Sequence, residues 1–436
     1  MEPQPETCTW NLAPGTFTEM PLSNELIYDW NRVDGPELKL NRRPMLNDET
    51  LRDGLQSPSV LDPPIEKKIQ ILHLMEDLGI DSLNLGLPGA GPRAKADVLR
   101  LAREIISAKL RITANCAART IESDIIPIAD VVQATGLEIE AATFLGSSPI
   151  RQYAEDWTLD FLLRTTERAV KFARSLGLPA MYVTEDTTRA RPEVIKKLYT
   201  TAIECGARAI VVCDTVGHVT PRGVQALLGF VREEVVAPSG ENVRVDWHGH
   251  SDRGLAVANS LAAFAAGADS VHAAALGIGE RVGNTPMDQM LVNLKLMAAP
   301  GWADRDLRKL KEYCSEVSEA VGVPIPPNYP VVGSDAFRTA TGVHAAAVIK
   351  AYRKNDVELA NQVYSGVPSH WFGIDQKIEI GPMSGKSNVI FWLERRGIEP
   401  GDELVEKIFA RAKQADRLLT EAELLELCGV SVINNK

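Results

Sequence analysis

The sequence predicts an α/β protein: a closed (β/α)8 TIM barrel followed by a C-terminal accessory subdomain of mixed, largely helical character. Three observations carry this expectation. Short apolar runs of β type recur eight times, at Pro44–Asn47, Ser82–Leu87, Arg111–Asn115, Leu137–Phe144, Ala180–Thr184, Ala209–Cys213, Val243–Trp247 and Ser270–Leu276. Amphipathic stretches separate them, as in Ile65–Leu78, where Ile69, Leu72, Met75 and Leu78 follow one another at three-residue intervals. Gly79, Gly136, Gly177, Gly206 and Gly267 each stand just before a run, where a left-handed helix cap belongs. An open doubly wound sheet also alternates strands and helices, but eight units of about 30 residues are the number that closes a barrel.

The flanks break the pattern. Residues 1–40 are rich in Pro, Glu and Asn without periodicity and read as an N-terminal extension; the barrel is expected over 41–300. From 301 to 436 the alternation stops. There Asp304–Val321 is helical by pattern, PIPPNYP at 324–330 is a linker, Lys377–Ile380 a short strand, and Asp402–Leu427 one charged amphipathic helix.

Among the 436 residues, 47 Lys+Arg stand against 58 Asp+Glu, a net charge of −11 that argues against a nucleic-acid partner. The six cysteines are scattered with no Cys-x-x-Cys, so reduced thiols are expected and a zinc knuckle is not. The acidic start MEPQPETCTW does not read as a secretory signal. The longest weakly polar run, Gly254–Ala268, contains Asn259 and Ser260 and falls short of the ~20 residues of a bilayer span. The expectation is a soluble, cytoplasmic protein with no membrane partner.

Three segments carry chemistry. Asn47-Asp48-Glu49-Thr50-Leu51-Arg52-Asp53-Gly54-Leu55-Gln56 follows the first strand, at the end of a barrel where catalytic residues collect. A carboxylate beside an arginine there suits a metal and an anion respectively. His248-Gly249-His250 closes the seventh run, and histidines at i and i+2 of an extended segment project to one side, toward a single cation. Asp252 is a nearby acceptor for them. Gly277-Ile278-Gly279-Glu280-Arg281-Val282-Gly283-Asn284 follows the eighth run; it is not a dinucleotide fingerprint, but a loop through which backbone approaches a ligand, with Asn284 offering an oxygen.

Barrel closure joins them. The eighth strand must pair with the first, so Asp53, His248, His250 and Asn284 meet although about 200 residues separate Asp53 from His250. One carboxylate, two imidazoles and an amide oxygen suit octahedral Mg²⁺ or Mn²⁺ and also Zn²⁺ or Fe²⁺.

With these residues in view, the sequence resembles the DRE-TIM metallolyase superfamily. DETLRDGLQ at 48–56, HGHSDRGLAVAN at 248–259 and GIGERVGN at 277–284 look like its three signatures, and the likeness is strongest to the Claisen-condensing branch of isopropylmalate, homocitrate and citramalate synthases. It continues through Ser148-Pro149-Ile150, Glu185–Arg189, Asp214–Gly217, Phe337–His344 and Ser384–Lys386.

The resemblance implies an enzyme that condenses acetyl-CoA with a 2-oxo acid and hydrolyses the thioester. It implies Asp53, His248 and His250 as ligands of a divalent metal with Asn284 as a further or indirect one, Arg52 as the stabiliser of charge on oxygen, and Thr215 as the holder of the substrate carboxylate. Gln56, Ser148 and Arg151 would also border the substrate. His344, aided by Tyr364, is the implied base, with Glu185 inside the barrel, and a homodimer that exchanges the C-terminal subdomain is implied as well. A carbon–carbon lyase or aldolase of the same superfamily is the alternative, although Gly277–Asn284 lacks the cysteine such lyases carry; a non-catalytic barrel is a further one.

The chain departs from the pattern at Asn84, where an acid is usual, at Arg151, where histidine is common, at Arg253, and at Thr339-Ala340. The two extra arginines fit either a second carboxylate or phosphonate on the substrate or surface ion pairs.

Overall fold

Eight parallel strands run in the order of the sequence and close on themselves in the computed structural model, which describes residues 26–33, 40 and 42–430. They are β1 (Met45–Asp48), β2 (Ser82–Asn84), β3 (Thr113–Arg119), β4 (Ile139–Gly146), β5 (Ala180–Glu185), β6 (Ala209–Asp214), β7 (Arg244–Gly249) and β8 (Ser270–Ala273). β8 pairs with β1 in the register Met45↔Ser270 to Asp48↔Ala273, which makes the barrel a ring. The N-terminal extension expected over 1–40 falls almost wholly outside the described residues, as does Cys8. Among the described residues, no helix is long and apolar enough to cross a membrane.

Each strand divides its side chains between two environments by period-two alternation. Leu46, Leu83, Ile139, Tyr182, Ile210, Val245 and Val271 point outward into the main core under the helices. The helix Ile65–Leu78 lies where its periodicity places it and ends in Gly79 at φ 73°, a left-handed cap that takes no side chain cheaply.

The barrel unit is longer than 41–300. Among the described residues, 42–339 and 367–379 form one compact unit, and 340–366 with 380–430 belong to a second. The reason lies in the helix Leu310–Val321, whose buried Leu310, Tyr313, Cys314 and Val317 belong to the barrel core. Tyr313 donates to Asp48 Oδ2 at 2.5 Å, and burial pushes the Asp48 carboxyl up to about 6. The expected helix from Asp304 starts only at Leu310, because Asp306 Oδ1 accepts from Arg308 N at 3.0 Å and sets a turn. The second unit has a small core of its own around Ile380, Val389, Trp392, Ile408 and Leu424. Its last helix is two: Asp402–Lys413 and Glu421–Leu427, the second started by a capping box in which Thr420 and Glu423 satisfy each other's backbone N–H.

The barrel interior holds a chain of buried charges. Arg244 bridges Glu140 at 2.6 Å and Asp246 at 3.0 Å. His272 stands between Asp246 and Glu49, 3.3 Å from each, and Glu49 in turn binds Arg52 at 2.6 Å. Arg52 Nη1 donates to Asp53 Oδ1 at 2.9 Å. Burial opposes the charge on His272, but the hydrogen bonds to Asp246 and Glu49 prevail and raise it to about 9. Glu49 is lowered to about 2, because Arg52 and His272 outweigh burial.

His272 therefore gains stability for the fold while it is protonated there. That contribution is complete below the free value of 6.5 and is lost as pH rises through about 9. In metal-free protein, the unfolding free energy of His272→Asn should fall below that of the parent by up to about 3 kcal/mol under acidic conditions. The gap should narrow steadily as pH approaches about 9. Urea denaturation of both proteins across pH 6–9.5 measures it; a gap that widens with pH contradicts the buried imidazolium.

Candidate functional site

The loop after β1 is held in place from β8 and from the helix Leu310–Val321. Glu49 N donates to Ala273 O at 2.8 Å, Ala275 N to Thr50 Oγ1 at 2.8 Å, and Thr50 Oγ1 lies 3.2 Å from the Tyr313 hydroxyl. This brings Asp53 to the C-terminal mouth of β7. Asp53 Oδ2 lies 3.6 Å from His248 Nε2 and 3.5 Å from His250 Nε2, and the two imidazole nitrogens are 3.2 Å apart.

Asn284 reaches the same point through its loop. His250 and Asn284 form an antiparallel bridge, and Asn284 Nδ2 donates to Ile278 O at 2.9 Å, which leaves its Oδ1 turned away. The loop folds back so tightly that a Cβ on Gly283, at φ 88°, would lie 1.7 Å from Gly277 O. No other residue fits there.

Three buried polar atoms in this group have no hydrogen-bond partner: Asp53 Oδ2, His250 Nδ1 and Asn284 Oδ1. Buried acceptors are rarely left so without cause. Asp53, His248 and His250 could hold a metal ion, and so by spacing could Glu49, His248 and His272. The second group is already satisfied, since Asn47, Arg52 and His272 occupy the Glu49 oxygens. In the first group Asp53 Oδ2 has no such partner, and the donors of that group fit a divalent metal. Burial lowers His248 to about 3 and lowers His250 as well, so both imidazoles are neutral, as ligation requires. Burial opposes the charge on Asp53, yet the Arg52 guanidinium holds its carboxyl well below the usual range.

A cavity of about 270 Å³ opens beside these atoms. Arg52, Asp53, Gln56, Glu185, Thr215 and both histidines line it, and so does Asn84, whose Oδ1 accepts from Gly86 N at 3.2 Å. Burial raises the Glu185 carboxyl, opposed by Arg151 and Arg52. Thr215 Oγ1 accepts from Asp186 N at 2.8 Å.

Other expected residues lie elsewhere. Ser148 does not line this cavity; its hydroxyl caps the short helix Pro149–Ala154 and accepts from Arg151 N at 3.3 Å. Arg151 pairs with Glu155 at 3.1 Å and lies over the Trp157 ring, bordering an outer cavity of about 350 Å³ with Glu185 and Thr215. Arg253 is exposed and donates to His218 O at 2.7 Å. Asp252 is held by Arg281 at 2.8 Å, so it is not the acceptor for the histidines. His344 and Tyr364 belong to the second unit, where their rings stack with centroids 4.2 Å apart.

Sequence reasoning named Glu49 without a task and passed over Asp246 and His272. A usable signal was present: Asp246 and His248 alternate along β7, with His250 next in the same alternation just past its end, and therefore share the inward face.

Comparison with known proteins places this geometry in a lineage. The HMGL-like family model matches residues 43–314. Homocitrate synthase AksA of Methanopyrus kandleri is 33% identical over 398 residues, 90% of this chain and 93% of its own length. A probable 2-isopropylmalate synthase of the same organism is 32% identical over 372 residues, 84% of this chain and 68% of its own. Homocitrate synthase of Sulfolobus acidocaldarius is 31% identical over 401 residues, covering 90% and 80%. Of solved structures, an HMG-CoA lyase of Bacillus subtilis superposes with TM-score 0.54 at 19% identity, over 65% of this chain and 96% of that one, a likeness of fold alone. The chain, with its ringed barrel and its Asp-His-His cluster at the strand ends, belongs to the HMGL-like family and to the Claisen-condensing branch of the DRE-TIM metallolyases.

Proposed function

We propose that the protein condenses acetyl-CoA with a 2-oxo acid and hydrolyses the resulting thioester, giving a 2-hydroxy-2-alkyl dicarboxylic acid. The single observation behind this reading is the buried Asp53 Oδ2, without a hydrogen-bond partner, 3.6 Å from His248 Nε2 and 3.5 Å from His250 Nε2, beside the Arg52 guanidinium. The synthase names of the relatives point the same way.

Asp53, His248 and His250, with Asn284, would hold the divalent ion, whether Mg²⁺, Mn²⁺ or Zn²⁺. When bound, that ion supplies Lewis acidity toward the ketone and carboxylate oxygens of a 2-oxo acid. The chain's own residues do the rest. Arg52 commits three N–H groups to Glu49 and Asp53, so two of a guanidinium's five remain to face oxygen as negative charge develops on it. Thr215 and Gln56 line the cavity where the substrate carboxylate would lie. A base removes a proton from the acetyl methyl, the carbon formed attacks the ketone carbon, and the new alkoxide takes up a proton. Water then cleaves the thioester and frees the CoA thiol.

Glu185, with its raised carboxyl at the cavity wall, suits proton transfer to or from that alkoxide. For the methyl proton we assign the paired rings of His344 and Tyr364, in a homodimer whose copies exchange the unit that carries them. Cys213, the thiol on the cavity wall, is driven well up by burial and so offers no thiolate.

CoA release from acetyl-CoA, followed with a panel of 2-oxo acids and each of the three metals, tests the reaction; no release in any combination refutes it. His250→Ala should weaken metal binding by more than about tenfold and lower turnover in parallel. Metal content by atomic emission together with rates checks both, and unchanged turnover refutes the ligand assignment. Chains carrying Asp53→Asn and His344→Ala, each inactive alone, should regain turnover when coexpressed. Failure to regain it refutes a base supplied across subunits.

A further inference from the structure

The cavity is two-faced. Its polar side is the cluster on β1, β7 and β8; its opposite side consists of Ala117 on β3, Ala142 and Phe144 on β4, Met181 and Val183 on β5, and Val211 on β6. Within each of β4 and β5 the two residues are two apart, so they share the inward face. Ala142, Met181 and Val211 belong to one apolar cluster inside the barrel, distinct from the core under the helices.

We infer that the oxo acid accepted here carries an apolar alkyl side chain of more than one carbon and no second acidic group; this deepens the synthase reading and rests on it. An oxo acid whose ketone and carboxylate faced the ion that Asp53, His248 and His250 would hold would turn its remaining substituent toward the opposite wall. Apart from the amide of Asn84 on the neighbouring β2, that wall offers no hydrogen-bond donor and no cation, and a carboxylate pressed against its apolar side chains would lose its water without replacement. Glu185 and Glu280 would repel it, and the cations of the cavity are already held, Arg52 by Glu49 and Asp53 and His272 by Glu49 and Asp246.

The arginines about the mouth are engaged. Arg151 pairs with Glu155, Arg189 with Asp186 at 2.7 Å, and Arg281 with Asp252 at 2.8 Å. Arg151 also stands 4.0 Å from Glu185, so its charge is shared between two carboxylates, and Arg253 is turned to the His218 carbonyl. Ala117 and Ala142 are the smallest residues of the wall and leave space where larger side chains would fill it.

The experiment is calorimetric titration of the metal-loaded, full-length protein, without acetyl-CoA, with pyruvate, 2-oxoisovalerate and 2-oxoglutarate. 2-Oxoisovalerate should bind at least about tenfold more tightly than 2-oxoglutarate and more tightly than pyruvate. Ala142→Leu should shift the ratio of the 2-oxoisovalerate to the pyruvate dissociation constant by about tenfold toward pyruvate, and Ala117→Val should shift it the same way. Circular dichroism and metal content of each variant verify its fold. Equal or tighter binding of 2-oxoglutarate, or variants that leave the ratio unmoved, overturns the inference while CoA release with any acid keeps the synthase reading intact. Binding in the expected order with no CoA release from acetyl-CoA supports the inference and overturns the synthase reading. No binding of any of the three acids overturns both.

Discussion

The pairing of β8 with β1 is the constraint on which the site depends. It makes neighbours of the first strand's loop and the last two strands, and with them it assembles an alternating row of buried charges: Glu140, Arg244, Asp246, His272, Glu49, Arg52 and Asp53. Four acids and three cations leave one negative charge, and the one oxygen of the terminal carboxylate without a partner is Asp53 Oδ2, at the mouth. The row thus ends where a cation is wanted. Its other effect is mechanical, because Arg52 and Asp53 are fixed by partners that are themselves fixed. A buried row of this kind is poor value for stability, since well-packed apolar side chains of similar volume often serve as well. Its place beneath the histidines explains its presence better than the fold does.

The glycine-rich loop illustrates the same economy of placement. Gly283 permits backbone to lie where any Cβ would collide with Gly277 O, and the resulting turn engages the Asn284 amide nitrogen with Ile278 O. The amide oxygen is left buried without a partner beside His250, to which the Asn284 backbone is bridged. A side chain with a free rotamer would have to be ordered when a cation arrives; here that ordering is done by the fold.

Much of this was legible in the sequence because period and spacing are local. The eight strand runs, the helix Ile65–Leu78 with its Gly79 cap and the i, i+2 histidines all follow from two periodicities, and ring closure then brings Asp53 to His250. What was illegible depends on partners distant in sequence. Helical pattern did not reveal that Leu310–Val321 completes the barrel core, since Tyr313 finds Asp48 about 265 residues away. Nor did it show that Thr420 would restart a helix within Asp402–Leu427, where a cap outweighs continuity of charge and apolar period. Asp252 looked like a partner for the histidines by proximity in sequence, but Arg281 from the next loop takes it. For Arg151 and Arg253 the sequence left substrate contact and surface ion pairs equally open, because no sequence pattern shows that Glu155 and the His218 carbonyl are within reach.

The division of the mouth separates two tasks that evolution must vary independently. The groups that would bind a metal and stabilise charge sit on β1, β7 and β8 and are locked into one hydrogen-bonded array, so a change in any of them disturbs several others. The wall on β3 to β6 is held by volume alone, with no polar atom whose partner would be lost by substitution. Changes of one or two methyl groups there alter the space offered to a substituent while leaving the array untouched. A family whose relatives bear the names of several synthases on one barrel is what such a division permits. The chemistry is fixed by a network in which each charge needs its neighbour, and the choice of substrate is left to residues that need only fit.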